Sequence, residues 1–181
     1  LIASQPMVLV ASPTAGVKNL DEFLAKVKAA PGKFSYGSSG VGTALHLAGE
    51  MVKERAGLFM THIPYRGVAP LTTDLVGGNL DYGVFVLSSG LPHIKSGKVV
   101  ALGTTEAKRS PLTADIPALG EHKALKGIDI GTWFVLMGPA RLPSAVVARL
   151  ETAPAEALQS AEFRSTVEAI GRTVAAAAGR H

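Results

Sequence analysis

The 181-residue chain has no cysteine, a single tryptophan and only 6% aromatic residues. Without cysteine there is neither a thiol nucleophile nor a thiolate metal site. The compartment stays open on this point, because disulfide-free proteins occur inside and outside the cytoplasm. Long apolar runs are also missing, and none approaches the ~20 residues that a membrane-spanning helix needs. Concentrated charge is lacking too. The net charge is +4, but the basic residues are scattered from Lys18 to Arg180. A nucleic-acid surface gathers Lys and Arg on one face and interleaves aromatics for stacking, so no nucleic-acid partner is expected. Dispersed positive charge supports no more than a weak attraction for anions. His46, His62, His93, His122 and His181 do not cluster at ligand spacing, so neither a metal nor a cofactor is expected.

What is present is a globular pattern. At 47% hydrophobic, the chain can bury one core, or one core and part of a second. Residues 6–11 read as a buried strand closed by Ser12-Pro13. Asn19 caps a helix, with Glu22 in the capping-box position and Leu20, Phe23, Leu24 and Val27 on one stripe. Residues 34–38 form the next strand, residues 43–55 a helix, and residues 59–65 a strand broken at Pro64. A helix over 68–76, a strand over 80–86, a helix over 88–95 and a strand over 99–105 follow. After a looser stretch over 108–128, a strand returns at 130–137. Pro143 opens a helix that Pro154 should kink or divide, and residues 161–170 make the last helix. Strands alternating with helices imply an α/β fold with a largely parallel sheet. Ligands in such sheets sit beyond the carboxyl ends of strands, where loops enter helices.

That rule directs attention to Gly37-Ser38-Ser39-Gly40-Val41-Gly42-Thr43, which joins a strand to a helix. Its glycines let the backbone turn sharply and approach a ligand closely. The first N–H groups of the helix have no internal partner and carry the positive end of the helix dipole. With the hydroxyls of Ser38, Ser39 and Thr43, this makes a site for a carboxylate or phosphate. The same residues also suit a tight turn in which Thr43 or a neighbouring serine merely caps its helix.

Sharper motifs fail. A dinucleotide fingerprint needs a third glycine where Leu45 stands, a phosphate loop needs a lysine, and a serine-hydrolase elbow needs glycine where Val41 stands. His46, His62 and Asp74 can be gathered into a triad only without geometric support. A cytosolic, hydrolase-like enzyme domain with an anion-binding loop stays as the rival reading. Trp133 is read as core, with pocket lining as its second reading, and is kept among the candidate site residues.

Several segments occur in a familiar order: Phe34-Ser-Tyr-Gly-Ser-Ser-Gly-Val-Gly-Thr-Ala-Leu-His-Leu47, His62-Ile-Pro-Tyr-Arg-Gly67, Leu75-Val-Gly-Gly-Asn-Leu-Asp81, Leu91-Pro-His-Ile-Lys-Ser-Gly-Lys98, Ala107-Lys-Arg-Ser-Pro111 and Thr132-Trp-Phe134. Together they resemble the solute receptors of tripartite tricarboxylate transporters, the Bug family of periplasmic proteins. The resemblance implies a periplasmic-binding-protein-like α/β fold with mainly parallel sheets and two lobes closing on a small organic carboxylate. It implies no catalysis, a periplasmic location and membrane components of the transporter as partners. Residues 10–127 would be the ligand-gripping lobe, and residues 1–9 and 128–181 the crossing strands and a partial first lobe. Ser38, Ser39, Gly40, Val41, Gly42 and Thr43 match the loop that grips a ligand carboxylate. Members of the family often carry an aspartate where Phe85 stands, at a strand end facing the cleft. Phe85 is therefore a candidate lining residue, and an amino-acid ligand is disfavoured. The family's export signal and opening segment have no counterpart before Leu1, so one lobe is expected to be incomplete and to favour self-association.

Overall fold

The computed structural model describes residues 1–110 and 113–174. Residues 111–112, in the looser stretch, and 175–181, at the end of the expected partial lobe, lie outside the described residues. The elements in chain order are β1 (Ala3–Ala11), α1 (Leu20–Ala29), β2 (Ser35–Ser38), α2 (Ala44–Ala56), β3 (Thr61–Pro64), α3 (Val68–Gly77), β4 (Tyr82–Val86), α4 (Leu87–Lys95), β5 (Val100–Thr104), β6 (Gly131–Phe134), α5 (Ser144–Gln159), α6 (Ala161–Ala169) and β7 (Thr173–Val174). The main sheet has the order β3-β2-β4-β1-β5. β2 runs parallel to both β3 and β4, whereas β1 is antiparallel to β4 and β5. Strands β2 to β5 therefore share one direction, and β1 alone opposes them. This is the α/β, periplasmic-binding-protein-like architecture with a mainly parallel sheet.

β1 starts three residues before the strand read from the sequence, and those residues have a separate task. Ala3 to Pro6 pair with β6, and Ala3 and Ser4 also pair with β7. From Met7 onward the same strand pairs with β4 and β5. One strand thus belongs to two groups of strands, with the changeover between Pro6 and Met7. The hydroxyl of Thr105 sits at that changeover. It accepts from Met7 N at 3.0 Å and donates to the Ile130 carbonyl at 2.6 Å.

Local signals place the helices. Asn19 Oδ1 accepts from Glu22 N at 2.9 Å, and the Glu22 carboxylate accepts from Asn19 Nδ2 at 3.0 Å and from Lys18 N at 2.8 Å, a variant of the capping box. Gly57 ends α2 in the left-handed conformation that costs glycine least. Two details depart from the sequence reading. α5 runs unbroken through Pro154, so the lost N–H bond does not divide it. β6 stops at Phe134 instead of reaching residue 137, and its last contact with the β1 chain is the bond from Ile2 N to the Phe134 carbonyl at 2.7 Å.

The period-2 alternation of β1 builds two cores. Met7, Leu9 and Ala11 face Phe23, Val27 and Tyr36 on one side of the sheet. Val8 and Val10 face Leu71, Leu75 and Phe85 on the other. Trp133, read as core, lies on β6 with 67% of its surface exposed. Its strand is covered on one side only, and Leu136 and Met137 are exposed just beyond it.

Gly37 sets the depth of the sheet beneath the loop. A Cβ there would lie 2.4 Å from Leu71 Cδ1 and 2.6 Å from Leu80 Cδ2, both in the core. Gly37→Ala is expected to destabilise the fold by roughly 1–3 kcal/mol, the usual cost of overpacking. Urea unfolding checks this as a lowered midpoint at unchanged slope.

Candidate ligand-binding site

The loop after β2 emerges at the carboxyl end of the strand and runs into α2, as the α/β rule requires. Two glycines carry the turn, Gly40 at φ 136° and Gly42 at φ 78°. Only glycine takes these values without strain. Val41 at the tip is 74% exposed, Gly42 is exposed, and Ser39 is half-buried with no hydrogen bond from its hydroxyl to another described residue. Thr43 caps α2: its Oγ1 accepts from His46 N at 3.3 Å and donates to the Gly40 carbonyl at 2.8 Å. The capped turn and the open helix N-terminus coexist, so the two sequence readings of this loop are not exclusive.

Ser38 has a different part. It is fully buried, with its Oγ 2.8 Å from His62 Nε2 and 3.1 Å from the Gly40 carbonyl, while Gly40 N donates to it at 3.3 Å. This serine hydroxyl, without exposed surface, holds the start of the loop. The same burial removes it as a nucleophile, despite its histidine. His46 and His62 stack face to face, with centroids 4.1 Å apart, and Asp74 is held by the Tyr65 hydroxyl at 2.8 Å. The triad imagined from His46, His62 and Asp74 is therefore not assembled.

His46, on the first turns of the loop helix, reads in sequence as a packed or capping histidine, and it lies beneath the loop. Gly42 N donates to His46 Nδ1 at 3.1 Å. His46 stands three residues after the capping Thr43, where a glutamate or glutamine would complete a capping box. That spacing was the available signal. Deeper in, the Tyr36 hydroxyl donates to Glu50, which also pairs with Lys53 at 2.8 Å. Burial pushes the Tyr36 phenol well above its ordinary range, and the bond to Glu50 adds to this. Burial alone would raise the Glu50 carboxyl, but the bonds from Lys53 and Tyr36 outweigh it and lower the group. Burial holds the His62 imidazole below its ordinary range, and nearby His46 pushes it the same way.

Phe85 is a correction. The strand alternation turns it into the second core beside Gly90 of α4, with 0% of its surface exposed. It faces no cleft, and the argument it supplied against an amino-acid ligand goes with it. Trp133 is exposed on β6, a strand separate from the loop-bearing β2 and β3. A groove of about 800 Å³ also lies away from the loop. Leu1, Leu136, Met137, Val147, Leu150 and Leu158 are among the residues that line it, and it is apolar. Among the described residues no group of three His, Cys, Asp or Glu is placed to hold a metal ion, and no helix is long and apolar enough to cross a membrane.

The family model of the tripartite tricarboxylate transporter family receptor matches residues 1–179. The chain belongs to that family. A relative encoded in the tcbD–tcbE intergenic region of Pseudomonas sp. strain P51 is 32% identical over 94% of this chain and 51% of its own length. Three solved structures are similar to this receptor-family chain. Rpa4515 of R. palustris, solved with adipate, has a TM-score of 0.90 at 27% identity over 97% of this chain and 59% of its own. The periplasmic binding protein BugD has a TM-score of 0.87 at 32% identity over 96% and 58%. MatC from Rhodopseudomonas palustris, solved with malate, has a TM-score of 0.84 at 26% identity over 95% and 58%. The receptor-family chain spans about half the length of the curated relatives it matches.

The cap is open to a direct test. Thr43→Ala removes the acceptor for His46 N and the bond to Gly40, and is expected to lower stability by about 1 kcal/mol. Thr43→Ser restores the oxygen and should recover most of that loss in thermal unfolding.

Proposed function

We propose that the protein is a periplasmic receptor that binds a small organic mono- or dicarboxylate without transforming it and presents it to membrane components of a tripartite tricarboxylate transporter. The observation that carries this reading is the loop of Ser39, Gly40, Val41, Gly42 and Thr43, which leaves the positive end of α2 open to solvent at the carboxyl end of β2. Backbone N–H groups at such a helix start suit a carboxylate, and each hydrogen bond to a charged ligand contributes about 1.5–3 kcal/mol. Family membership supports the same reading, as do the similar structures with adipate and malate. The division into a gripping lobe over 10–127 and crossing strands plus part of a first lobe over 1–9 and 128–181 is supported by the changeover within β1 at Pro6 and Met7. The hydrolase alternative has less behind it, because Ser38 is buried and its hydroxyl is engaged.

Two outcomes follow for the full-length protein and one for this chain. In a thermal-shift panel, adipate, malate and simple monocarboxylates should raise Tm while ATP and NAD should not; stabilisation by the nucleotides alone would sink the proposal. Gly42→Asp has room for its side chain, since a Cβ there meets nothing within 4 Å. At the positive φ of Gly42 the new side chain costs about 1 kcal/mol of stability, so the mutant should still fold, and it should weaken carboxylate binding roughly a hundredfold or more by like-charge repulsion. Normal binding by a folded mutant would mean that the loop is structural. For the 181-residue chain, the exposed Trp133, Leu136 and Met137 favour self-association, which light scattering should show as concentration-dependent mass.

A further inference from the structure

We propose that His46 and His62 act as one positioning unit for the carboxylate loop, and that this unit takes up a proton on His46 when an anion binds. The inference rests on the carboxylate reading of the loop and goes beyond it. The two imidazoles stack 4.1 Å apart, and each holds one end of the same five-residue span. His62 holds Ser38 through Nε2 at 2.8 Å, and His46 holds Gly42 through Nδ1 at 3.1 Å. Between them lie Ser39, Gly40 and Val41, the part that faces solvent.

The hydrogen bond to Gly42 fixes the chemistry of His46. Gly42 N–H is a donor, so Nδ1 must accept, and the ring proton of neutral His46 resides on Nε2. That nitrogen lies 3.9 Å from Glu50 Oε1. A proton added at Nδ1 sets N–H against N–H, breaks the bond and releases Gly42 N–H. It also places a positive charge beside the loop where an anion would sit. Anion binding and proton uptake at His46 therefore favour each other.

The groups around the pair direct the proton. On α2, Glu50 faces His46 and attracts its charged form, while Lys53 is occupied with Glu50. On β2, Tyr36 packs against His62 with ring centroids 4.9 Å apart, and its hydroxyl is spent on Glu50. On β3, burial and then the stacked His46 lower the His62 imidazole, against an opposing pull from Glu50. Two cationic rings stacked this close would repel each other, and Glu50 Oε1 lies 3.9 Å from His46 Nε2.

The test uses the full-length protein, with adipate as the probe. Without ligand, amide and imidazole resonances are followed from pH 8 to pH 5. The Gly42 amide should move with the same midpoint as the His46 ring in the native protein and should not move in His46→Gln, whose side-chain oxygen can accept from Gly42 without titrating. With ligand, adipate affinity should rise roughly tenfold between pH 8 and pH 6 in the native protein and stay nearly flat in His46→Gln, as expected for a unit charge gained a few ångströms from an anion. The variant also corrects for protonation of adipate itself. His46→Leu, which has no acceptor, should bind more weakly than His46→Gln at pH 8. A Gly42 amide that ignores the titration of His46 would overturn the proposal, as would equal pH dependence in native and His46→Gln proteins. Absence of adipate binding at every pH counts against the carboxylate reading, while the Gly42 amide still decides whether the pair controls the loop.

Discussion

Most of the architecture depends on the backbone hydrogen bonding of one strand. β1 pairs with four others, and its nine residues divide their partners between Pro6 and Met7. Each residue before the division is committed to β6 or β7, and each one after it to β4 or β5. A strand shared in this way fixes the register of both groups at once, because a slip of one residue would turn every side chain to the opposite face. Thr105 strengthens the junction: one hydroxyl accepts from β1 and donates to the segment leading into β6. With both of its roles filled, this buried hydroxyl costs little to bury, whereas losing either partner would leave a polar group unsatisfied.

The loop borrows its rigidity from the sheet and from α2. Gly37 lets β2 lie close against Leu71 and Leu80, which sets the height at which the chain turns. Ser38 ties the start of the turn to β3 through His62, and His46 ties its end to α2. What remains between these anchors is short, rich in glycine and open to solvent. On the proposed reading, a carboxylate meeting this loop would find it already braced at both ends, and little conformational freedom would be lost on binding. The Tyr36–Glu50–Lys53 cluster lies under the same helix turn and fixes the electrostatic setting of the histidine pair.

The apolar groove between α5 and the segment after β6 obeys a different logic. Its lining is mostly leucine, valine and proline, with Arg141 and Glu151 as its charges. This groove presents mainly apolar side chains, whereas the loop presents backbone donors and hydroxyls.

Local order was legible because its causes are local. The Asn19 and Thr43 caps, the glycine-rich turn and the alternation of β1 from Met7 to Ala11 all follow from neighbours within a few residues. The family pattern carried the class of fold and the loop itself. What the linear order concealed were facts decided between distant segments. Phe85 and Val84 look alike in sequence, yet the pleat turns Phe85 into one core and Val84 into the other. Trp133 has the composition of a core residue, but it lies on a strand covered on one face only, so most of it meets solvent. The reach of β1 back to Ala3 depended on β6 and β7, more than a hundred residues away. The contact of His62 with both Ser38 and His46 depended on the parallel pairing of β2 with β3. Capping and turn chemistry are short-range and can be read along the chain. Burial, stacking and strand partnership are properties of packed surfaces, and only the folded arrangement decides them.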